Sequence, residues 1–260
     1  METITSKSNP LCVHLRKLAS SRSYREETGE FLCDSPKLLQ EAALWGAPIT
    51  ALLYTQGAAL PPGLEGRVPR MAEVSESVMR SVSPMENPQG AVFSCRSPGC
   101  APPERLGPGA GGRLRFLVLD GVQDPGNVGT ILRTADAFGT RVIVLPGCAD
   151  LHNPKTLRAG MGVHFRTEIY RCTLEELTAL LKEAGLPLYG AALREDTADV
   201  REVDLRRCAM AVGSEGRGLS AAVLAACDKT VRIPMDPRCE SLNAASAASV
   251  LLWEAARGEY

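Results

Sequence analysis

Short apolar runs alternate with amphipathic segments through the second half of the chain. The apolar runs predict buried strands at 114–119, 141–145, 165–170, 187–191, 208–212 and 230–233. Between them, apolar residues at helical spacing predict helices at 127–138, 154–159, 174–184, 219–226 and 241–257. Strands that alternate with helices in this way form parallel sheets covered on both faces. This half is therefore predicted to be an α/β domain with a mostly parallel sheet.

The first half shows a smaller version of the same alternation. Its apolar pattern predicts helices at 9–19, 36–45 and 74–82, and strands at 31–33, 49–54 and 90–93. The middle helix has clear ends, because Ser35 is a favoured N-cap, Pro36 suits the first helical position and Gly46 follows the last turn. We therefore predict a second, smaller α/β domain.

A segment rich in proline and glycine separates the two halves. Residues 96–112 have no apolar periodicity, which is typical of a linker. We predict a first domain at 1–105, a linker at 106–112 and a second domain at 113–260.

Composition excludes some classes of protein. The chain has 260 residues, 45% of them hydrophobic, which is enough for a sizeable core and excludes wholesale disorder. Its net charge of -1 excludes a globally basic nucleic-acid binder, although a local basic face remains compatible with it. The first 26 residues carry such an excess. Their basic side chains are Lys7, Arg16, Lys17, Arg22 and Arg25, and their acidic ones are Glu2 and Glu26.

Cysteine and histidine usage bears on metal and redox chemistry. Nine cysteines at irregular spacing, with no Cys-x-x-Cys, indicate core residues in a reducing compartment. The three histidines lie far apart and give no spacing argument for a metal site. No apolar run is long enough for a membrane span. We expect a soluble, cytoplasmic protein without metal or membrane.

Three glycine-rich polar segments follow predicted strands at 120–139, 213–220 and 233–248. In open α/β sheets, ligands bind at the carboxyl ends of strands, so these segments are the candidate site. The first lacks both G-x-G-x-x-G and a Walker lysine, which disfavours a nucleotide-dependent oxidoreductase. Its Arg133 is either a surface residue or a functional one, and Ser241 is predicted to N-cap the last helix.

The three segments together contain motifs of a known family. They read N-x-G-x-x-x-R followed by F-G, then G-S-E-G-x-G-L, then I-P-M followed by E-S-L-N. These motifs comprise Asn127, Gly129, Arg133, Phe138 and Gly139, residues 213–219, and Ile233, Pro234, Met235, Glu240, Ser241, Leu242 and Asn243. In their order and spacing, the chain resembles the SpoU (TrmH-like) branch of the SPOUT RNA methyltransferases.

The resemblance implies a fold and a cofactor. The expected C-terminal domain is an α/β knot of the SPOUT type, with a mostly parallel sheet and a deep trefoil knot. Its knot loops would bind S-adenosylmethionine. Gly213, Ile233 and Leu242 would hold this cofactor largely through backbone groups, with Leu193 and Met235 as neighbours. The family also implies a homodimer in which the partner subunit completes each active site.

The implied reaction is methyl transfer to a ribose 2′-hydroxyl of RNA, with 23S ribosomal RNA expected ahead of tRNA. Arg133 would act as a base or as an electrostatic anchor. Asn127 and Glu215 would orient Arg133 or the ribose, while Ser241 and Asn243 would place the hydroxyl or shape the cofactor loop. The alternatives are a tRNA 2′-O-methyltransferase and a non-catalytic RNA-binding or ribosome assembly protein.

The first domain resembles the family's substrate-binding domain, which has an L30e-like α/β fold. The motifs are L-R-K-L from Leu15, G-x-F-L at 29–32 and N-P-Q-G at 87–90. Two positions depart from the family pattern, since Asp34-Ser35 replaces Glu-Gly and Gly160 replaces a common serine. The candidate RNA contacts are Arg16, Lys17, Arg22 and Arg25, with a solvated helical face as the alternative.

Overall fold

The computed structural model describes residues 2–109, 112–194 and 197–259. It divides the chain into two compact units. The first unit contains the residues up to Gly99 together with Asp150–Arg166. The second contains Cys100–Ala149 and the residues from Thr167 onward.

The first unit is built on a five-stranded mixed sheet. Its strands are β1 (Glu2–Ile4), β2 (Glu30–Asp34), β3 (Ile49–Tyr54), β4 (Met71–Val74) and β5 (Ala91–Arg96), in the order β1-β4-β3-β5-β2. Strand β5 runs antiparallel to both β2 and β3, whereas the other pairs are parallel. The helices of this unit are α1 (Pro10–Ser20), α2 (Arg22–Thr28), α3 (Pro36–Leu44), α4 (Glu76–Val82) and α6 (Pro154–Gly160).

Two apolar layers cover this sheet. Leu32 of β2 packs with Leu15 of α1 and Met79 of α4 on one face. The neighbouring Phe31 points to the other face, as strand alternation requires, and packs with Leu39 of α3. Leu157 and Phe165, which come from the segment 150–166, join this second layer. That segment is therefore part of the core of the first unit.

The second unit is built on a seven-stranded sheet in which every pair of strands is parallel. The strands are β6 (Phe116–Asp120), β7 (Arg141–Val144), β8 (Ile169–Arg171), β9 (Leu188–Ala191), β10 (Ala198–Asp199), β11 (Ala209–Gly213) and β12 (Lys229–Arg232). Their order is β10-β12-β9-β11-β6-β7-β8. The helices are α5 (Pro125–Ala137), α7 (Leu174–Ala184), α8 (Ala221–Ala226) and α9 (Ala244–Ala255). The prediction of a mostly parallel α/β sheet is confirmed.

One buried guanidinium joins the ends of α5 and α9, which pack against each other. Arg115 is fully buried, and its guanidinium donates to the carbonyls of Phe138 and Ala255, the Thr140 hydroxyl and the Glu259 carboxylate. A buried charge is tolerated only with such a full set of partners. Arg115 thereby fixes the C-terminal ends of the two helices whose N-terminal ends carry candidate catalytic residues.

Several local predictions were wrong. The predicted strand at 165–170 is a 3₁₀ turn at Val163–Phe165 followed by β8. The last helix begins at Ala244 rather than at 241, and Asn243 instead of Ser241 is its N-cap. The pattern also missed β1, α2, β4 and β10, because elements of two to seven residues are too short to show a clear period. Among the described residues, no helix is long and apolar enough to cross a membrane.

Candidate active site

A tight hairpin follows β11 and positions Glu215. Ser214 and Gly218 exchange backbone hydrogen bonds of 3.0 and 2.9 Å across it. A Cβ placed on Gly213 would lie 2.0 Å from the carbonyl carbon of Gly218 and 2.3 Å from the amide nitrogen of Leu219. Only glycine fits so close to another backbone segment, which explains the residue type at Gly213. The hairpin in turn holds Glu215 beside the end of β11.

A cavity of about 390 Å³ lies at the carboxyl ends of β9, β11 and β12. All five predicted cofactor residues line it, namely Leu193, Gly213, Ile233, Met235 and Leu242. Two of the predicted catalytic residues, Glu215 and Ser241, line it as well. The second and third glycine-rich segments therefore meet at one edge of the parallel sheet, where ligands bind in folds of this type.

Three predicted catalytic residues form a chain of hydrogen bonds beside this cavity. The Asn127 amide donates from Nδ2 to Glu215 Oε1 at 2.5 Å. Its Oδ1 accepts from Asn243 Nδ2 at 3.2 Å. We call Asn127, Glu215 and Asn243 the Asn–Glu cluster. Since both ends of its amide are engaged, Asn127 is held in one orientation.

Helix starts place both asparagines of the Asn–Glu cluster. Asp124 N-caps α5 by accepting from the backbone N–H of Asn127 at 2.9 Å. Asn243 N-caps α9 by accepting from the N–H groups of Ala245 and Ser246. An N-cap satisfies helix donors that otherwise lack a partner. Asn243 thus has two uses, because its Oδ1 caps α9 and its Nδ2 holds Asn127.

Arg133 lies apart from the Asn–Glu cluster in this chain. It is exposed on α5, whose buried face carries Val128, Ile131 and Leu132. Asn127 and Arg133 are six residues apart, which places them on different sides of a helix with 3.6 residues per turn. No hydrogen bond among the described residues joins Arg133 to the cluster. The chain alone brings together four of the five predicted catalytic residues.

The predicted RNA contacts differ in their surroundings. Lys17 is exposed and lies 5.3 Å from the centre of the Tyr24 ring, and exposed Arg22 pairs with Glu26 at 2.8 Å. Arg16 is half-buried. These three side chains stay candidate RNA contacts.

Arg25 requires a correction. It is only 6% exposed, and its guanidinium binds the Asp150 carboxylate at 2.6 Å and the Leu18 carbonyl at 2.5 Å. With its donors used inside the protein, it is not a surface cation in this structure, so its role is structural. Its partner is 125 positions away in sequence, which is why local reasoning missed it.

The two departures from the family pattern both involve the segment 150–166, since Asp34 contacts it and Gly160 belongs to it. Arg158 of α6 pairs with Asp34 at 2.9 Å, and burial raises the pKa of the Asp34 carboxyl to about 6 although Arg158 opposes that shift. Ser35 has φ 148° and ψ 150°, a backbone region that glycine adopts far more readily. At position 160, a Cβ would lie 3.3 Å from Nδ1 of buried His164. Glycine there leaves room for this imidazole, whose pKa burial lowers to about 3.

Sequence reasoning assigned no role to three polar residues around the site. Asp120, at the end of β6, accepts from the Ser220 backbone N–H at 2.6 Å and so fixes the start of α8. Arg232 and Glu240 line the cavity. Their positions at strand ends and within the third glycine-rich segment could have indicated them. Among the described residues, no group of three or more His, Cys, Asp or Glu could hold a metal ion.

Two known protein families match this chain. The family described as SpoU rRNA Methylase matches residues 115–253, and the MRM3-like substrate binding domain matches residues 9–92. The chain belongs to the SpoU rRNA methylase family. The family resemblance of the three motifs is thereby confirmed.

Relatives and solved structures agree with this assignment. The chain is 33% identical over 254 residues to the 23S rRNA (guanosine(2553)-2′-O)-methyltransferase of Bacillus subtilis, covering 97% of this chain and 98% of that one. It is 30% identical over 254 residues to the 23S rRNA (uridine(2479)-2′-O)-methyltransferase of Streptomyces viridochromogenes, covering 92% and 87%. The AdoMet-bound rRNA methyltransferase from Sinorhizobium meliloti superposes with a TM-score of 0.86 at 30% identity, covering 98% and 97%.

Proposed function

We propose that this SpoU-family protein transfers a methyl group from S-adenosylmethionine to a ribose 2′-hydroxyl of 23S ribosomal RNA in the cytoplasm. The observation that carries the proposal is that the second and third motif segments line one cavity, while the Asn–Glu cluster connects the first segment to Glu215 in its lining. Two relatives that match over more than nine-tenths of the chain carry names of 23S ribosomal RNA 2′-O-methyltransferases. A tRNA substrate is the second candidate.

The cavity suits S-adenosylmethionine in size and chemistry. Its lining combines apolar side chains such as Leu193 and Met235 with backbone groups around Gly213, Ile233 and Leu242. This mixture fits an adenosine moiety, which needs apolar contacts and a few polar ones. The carboxylates of Glu215 and Glu240 outnumber the guanidinium of Arg232 in the lining, and this net negative charge suits a cationic ligand. When bound, this cofactor supplies an electrophilic methyl group.

The protein must then orient a weak nucleophile. A ribose hydroxyl reacts only when it is placed in line with the methyl group and its proton is removed or shared. Within the Asn–Glu cluster, Asn127 is preorganised and Glu215 presents a carboxylate to the cavity. Ser241 adds a hydroxyl at the same wall. We assign to these groups the placement of the ribose.

We propose that Arg133 acts as an electrostatic anchor and not as a general base. A guanidinium has five N–H donors and keeps its proton in proteins, so it binds phosphate and stabilises a developing alkoxide. Since Arg133 lies on the exposed face of α5 and away from its own Asn–Glu cluster, the proposal places it in the active site of a second subunit. Each site of the homodimer then combines Arg133 from one chain with the cluster of the other.

The outer face of α9 supports pairing through α5 and α9. Val250 and Trp253 are 38% and 62% exposed on it, and Trp253 contacts Phe138 edge to face. Such apolar exposure is typical of an interface that is covered in the assembly.

We also propose the deep trefoil knot of the family for the C-terminal chain. The buried small residues Ala244, Ala245 and Ala248 of α9 allow the close packing that a threaded helix needs.

The test combines purified protein and tritiated S-adenosylmethionine with undermodified ribosomal RNA, tRNA and assembled large ribosomal subunits. A 2′-O-methyl group blocks alkaline cleavage, so product appears as label in hydrolysis-resistant dinucleotides. Label from ribosomal RNA or from the subunits supports the proposal, and Arg133→Ala serves as the inactive control. Label only from tRNA overturns the choice of RNA. No label from any pool, with cofactor binding intact, overturns the catalytic function in favour of an RNA-binding protein.

A further inference from the structure

Two large apolar side chains are exposed side by side on the first unit. Leu44, at the C-terminal end of α3, is 75% exposed, and the next residue, Trp45, is 52% exposed. The chain has only two tryptophans, and Trp253 already belongs to the proposed dimer face. Exposed apolar clusters mark interaction sites more often than isolated exposed residues do. Trp45 therefore needs a partner that the interior of the first unit does not supply.

Two basic side chains pair with Glu41, the residue one helical turn before Trp45. The Glu41 carboxylate accepts from Lys37 Nζ at 2.9 Å and from Arg166 Nη1 at 3.1 Å. The pKa of the Glu41 carboxyl is lowered, chiefly by the Lys37 hydrogen bond, with further contributions from Arg166 and from the Trp45 side chain. Trp45 thus lies close to Glu41, which pairs with two basic side chains. About half of the Trp45 surface is exposed to solvent.

The charge around this ring favours an anionic partner. Lys37 and Arg166 carry two positive charges against the single negative charge of Glu41. The Lys37 side chain is 55% exposed, so its ammonium can reach a second anion. An aromatic ring beside a net positive charge is the arrangement that proteins use to bind single-stranded nucleic acid, by stacking the base and pairing the phosphate.

We propose that Trp45 is a stacking platform for an unpaired base of the RNA substrate, with Lys37 contacting the adjacent phosphate. This inference rests on the proposed function for the identity of the RNA. It agrees with the location of Trp45 inside the matched substrate binding domain, residues 9–92. A flat ring accepts any base, so the platform contributes affinity and placement, whereas sequence selection comes from other contacts.

The test uses the full-length protein and a labelled 23S ribosomal RNA fragment, with Kd from filter binding and KM and kcat from methyl transfer. Trp45→Ala is expected to raise Kd and KM about tenfold, equal to about 1.4 kcal/mol, and to leave kcat within twofold. Trp45→Phe keeps a ring and is expected to stay within about threefold of the parent protein. Leu44→Ala is the matched control, since it removes exposed apolar surface of the same patch without an aromatic face.

Several results overturn the inference. The first is an unchanged Kd in Trp45→Ala. The second is a loss of RNA affinity in Trp45→Phe as large as in Trp45→Ala. The third is a loss of RNA affinity in Leu44→Ala as large as in either Trp45 variant. The last result indicates an apolar docking surface for a protein instead. Cofactor affinity and melting temperature of the variants show that folding is intact. Because Kd is measured without turnover, an inactive protein that still binds the fragment through Trp45 refutes the proposed function and leaves the platform supported.

Discussion

Asn243 donates a hydrogen bond of 3.2 Å to Asn127, although the two residues are 116 positions apart. Each lies at the start of a helix, α9 and α5 respectively. The same Asn127 amide donates to Glu215. A single amide therefore connects the starts of two helices to the hairpin after β11. This connection makes the orientation of the Asn–Glu cluster sensitive to single-atom changes.

Asn243→Asp tests that sensitivity. Aspartate remains a good N-cap, so the melting temperature is expected to stay within a few degrees of the parent value. Its carboxylate cannot donate to Asn127 Oδ1, and an Asn127 amide turned to donate to it would lose its bond to Glu215. We expect kcat to fall at least tenfold with cofactor affinity unchanged, measured by single-turnover methyl transfer and calorimetry. Full activity would show that Asn127 needs no fixed orientation.

Subunit mixing tests whether Arg133 acts across the dimer. Arg133→Ala and Glu215→Gln are each expected to be inactive. When the two variants are coexpressed with different tags and the heterodimer is purified, one of its two sites contains both natural residues. The heterodimer is expected to regain about half of the parent activity per dimer. If Arg133 instead served its own chain, the heterodimer would stay as inactive as its parents.

Gly213→Ala tests the contact between the end of β11 and the hairpin. The added Cβ would lie 2.0 Å from a backbone carbon of Gly218, so the hairpin must move. Overpacking of this kind costs about 1–3 kcal/mol. We expect a clear drop in melting temperature and weaker cofactor binding. Both are measured by thermal melts with and without S-adenosylmethionine. Gly216→Ala is the matched control for the melting temperature, because its Cβ would meet nothing within 4 Å.

The raised pKa of the Asp34 carboxyl predicts an unusual dependence of the free energy of unfolding on pH. Burial raises the pKa of its carboxyl to about 6 in the folded state, above the ordinary value near 3.8. The folded state thus binds the proton more tightly, so the contribution of Asp34 to stability is largest below pH 4 and is lost as the pH rises through 6. Asp34→Asn removes this dependence. We expect it to be more stable than the parent at pH 8, by about 1–2 kcal/mol, with the advantage gone at pH 4.

Denaturant unfolding of both proteins from pH 4 to pH 8 gives the measurement. Arg158, the partner of Asp34, is one-third exposed on its side chain, so water can solvate it in the variant. A variant that loses stability equally at every pH would show that the ion pair outweighs the burial of the carboxylate.

Most helices and strands were predictable because hydrophobic periodicity and helix capping depend on residues that are close together in the chain. The parallel sheet of the second unit followed from apolar runs that alternate with amphipathic ones. Ser35 was correctly predicted as the N-cap of α3, whereas the prediction of Ser241 as the N-cap of α9 was wrong, since Asn243 takes that position. The start of α9 coincides with the contact between Asn243 and Asn127, and this contact is not local.

By itself, the sequence determined the alternation of strands and helices in the second unit, the N-cap of α3 and the three motifs of the family. Each of these follows from backbone geometry or from residues close together in the chain. Only the tertiary structure decided that Arg25 is buried against Asp150, that Asn127 joins Asn243, and that 150–166 belongs to the first unit. The reason is physical. The residues that neighbour a charged or amide side chain in sequence do not show whether that side chain is buried or exposed. Its hydrogen-bond partner depends on which distant segments the folded chain brings together.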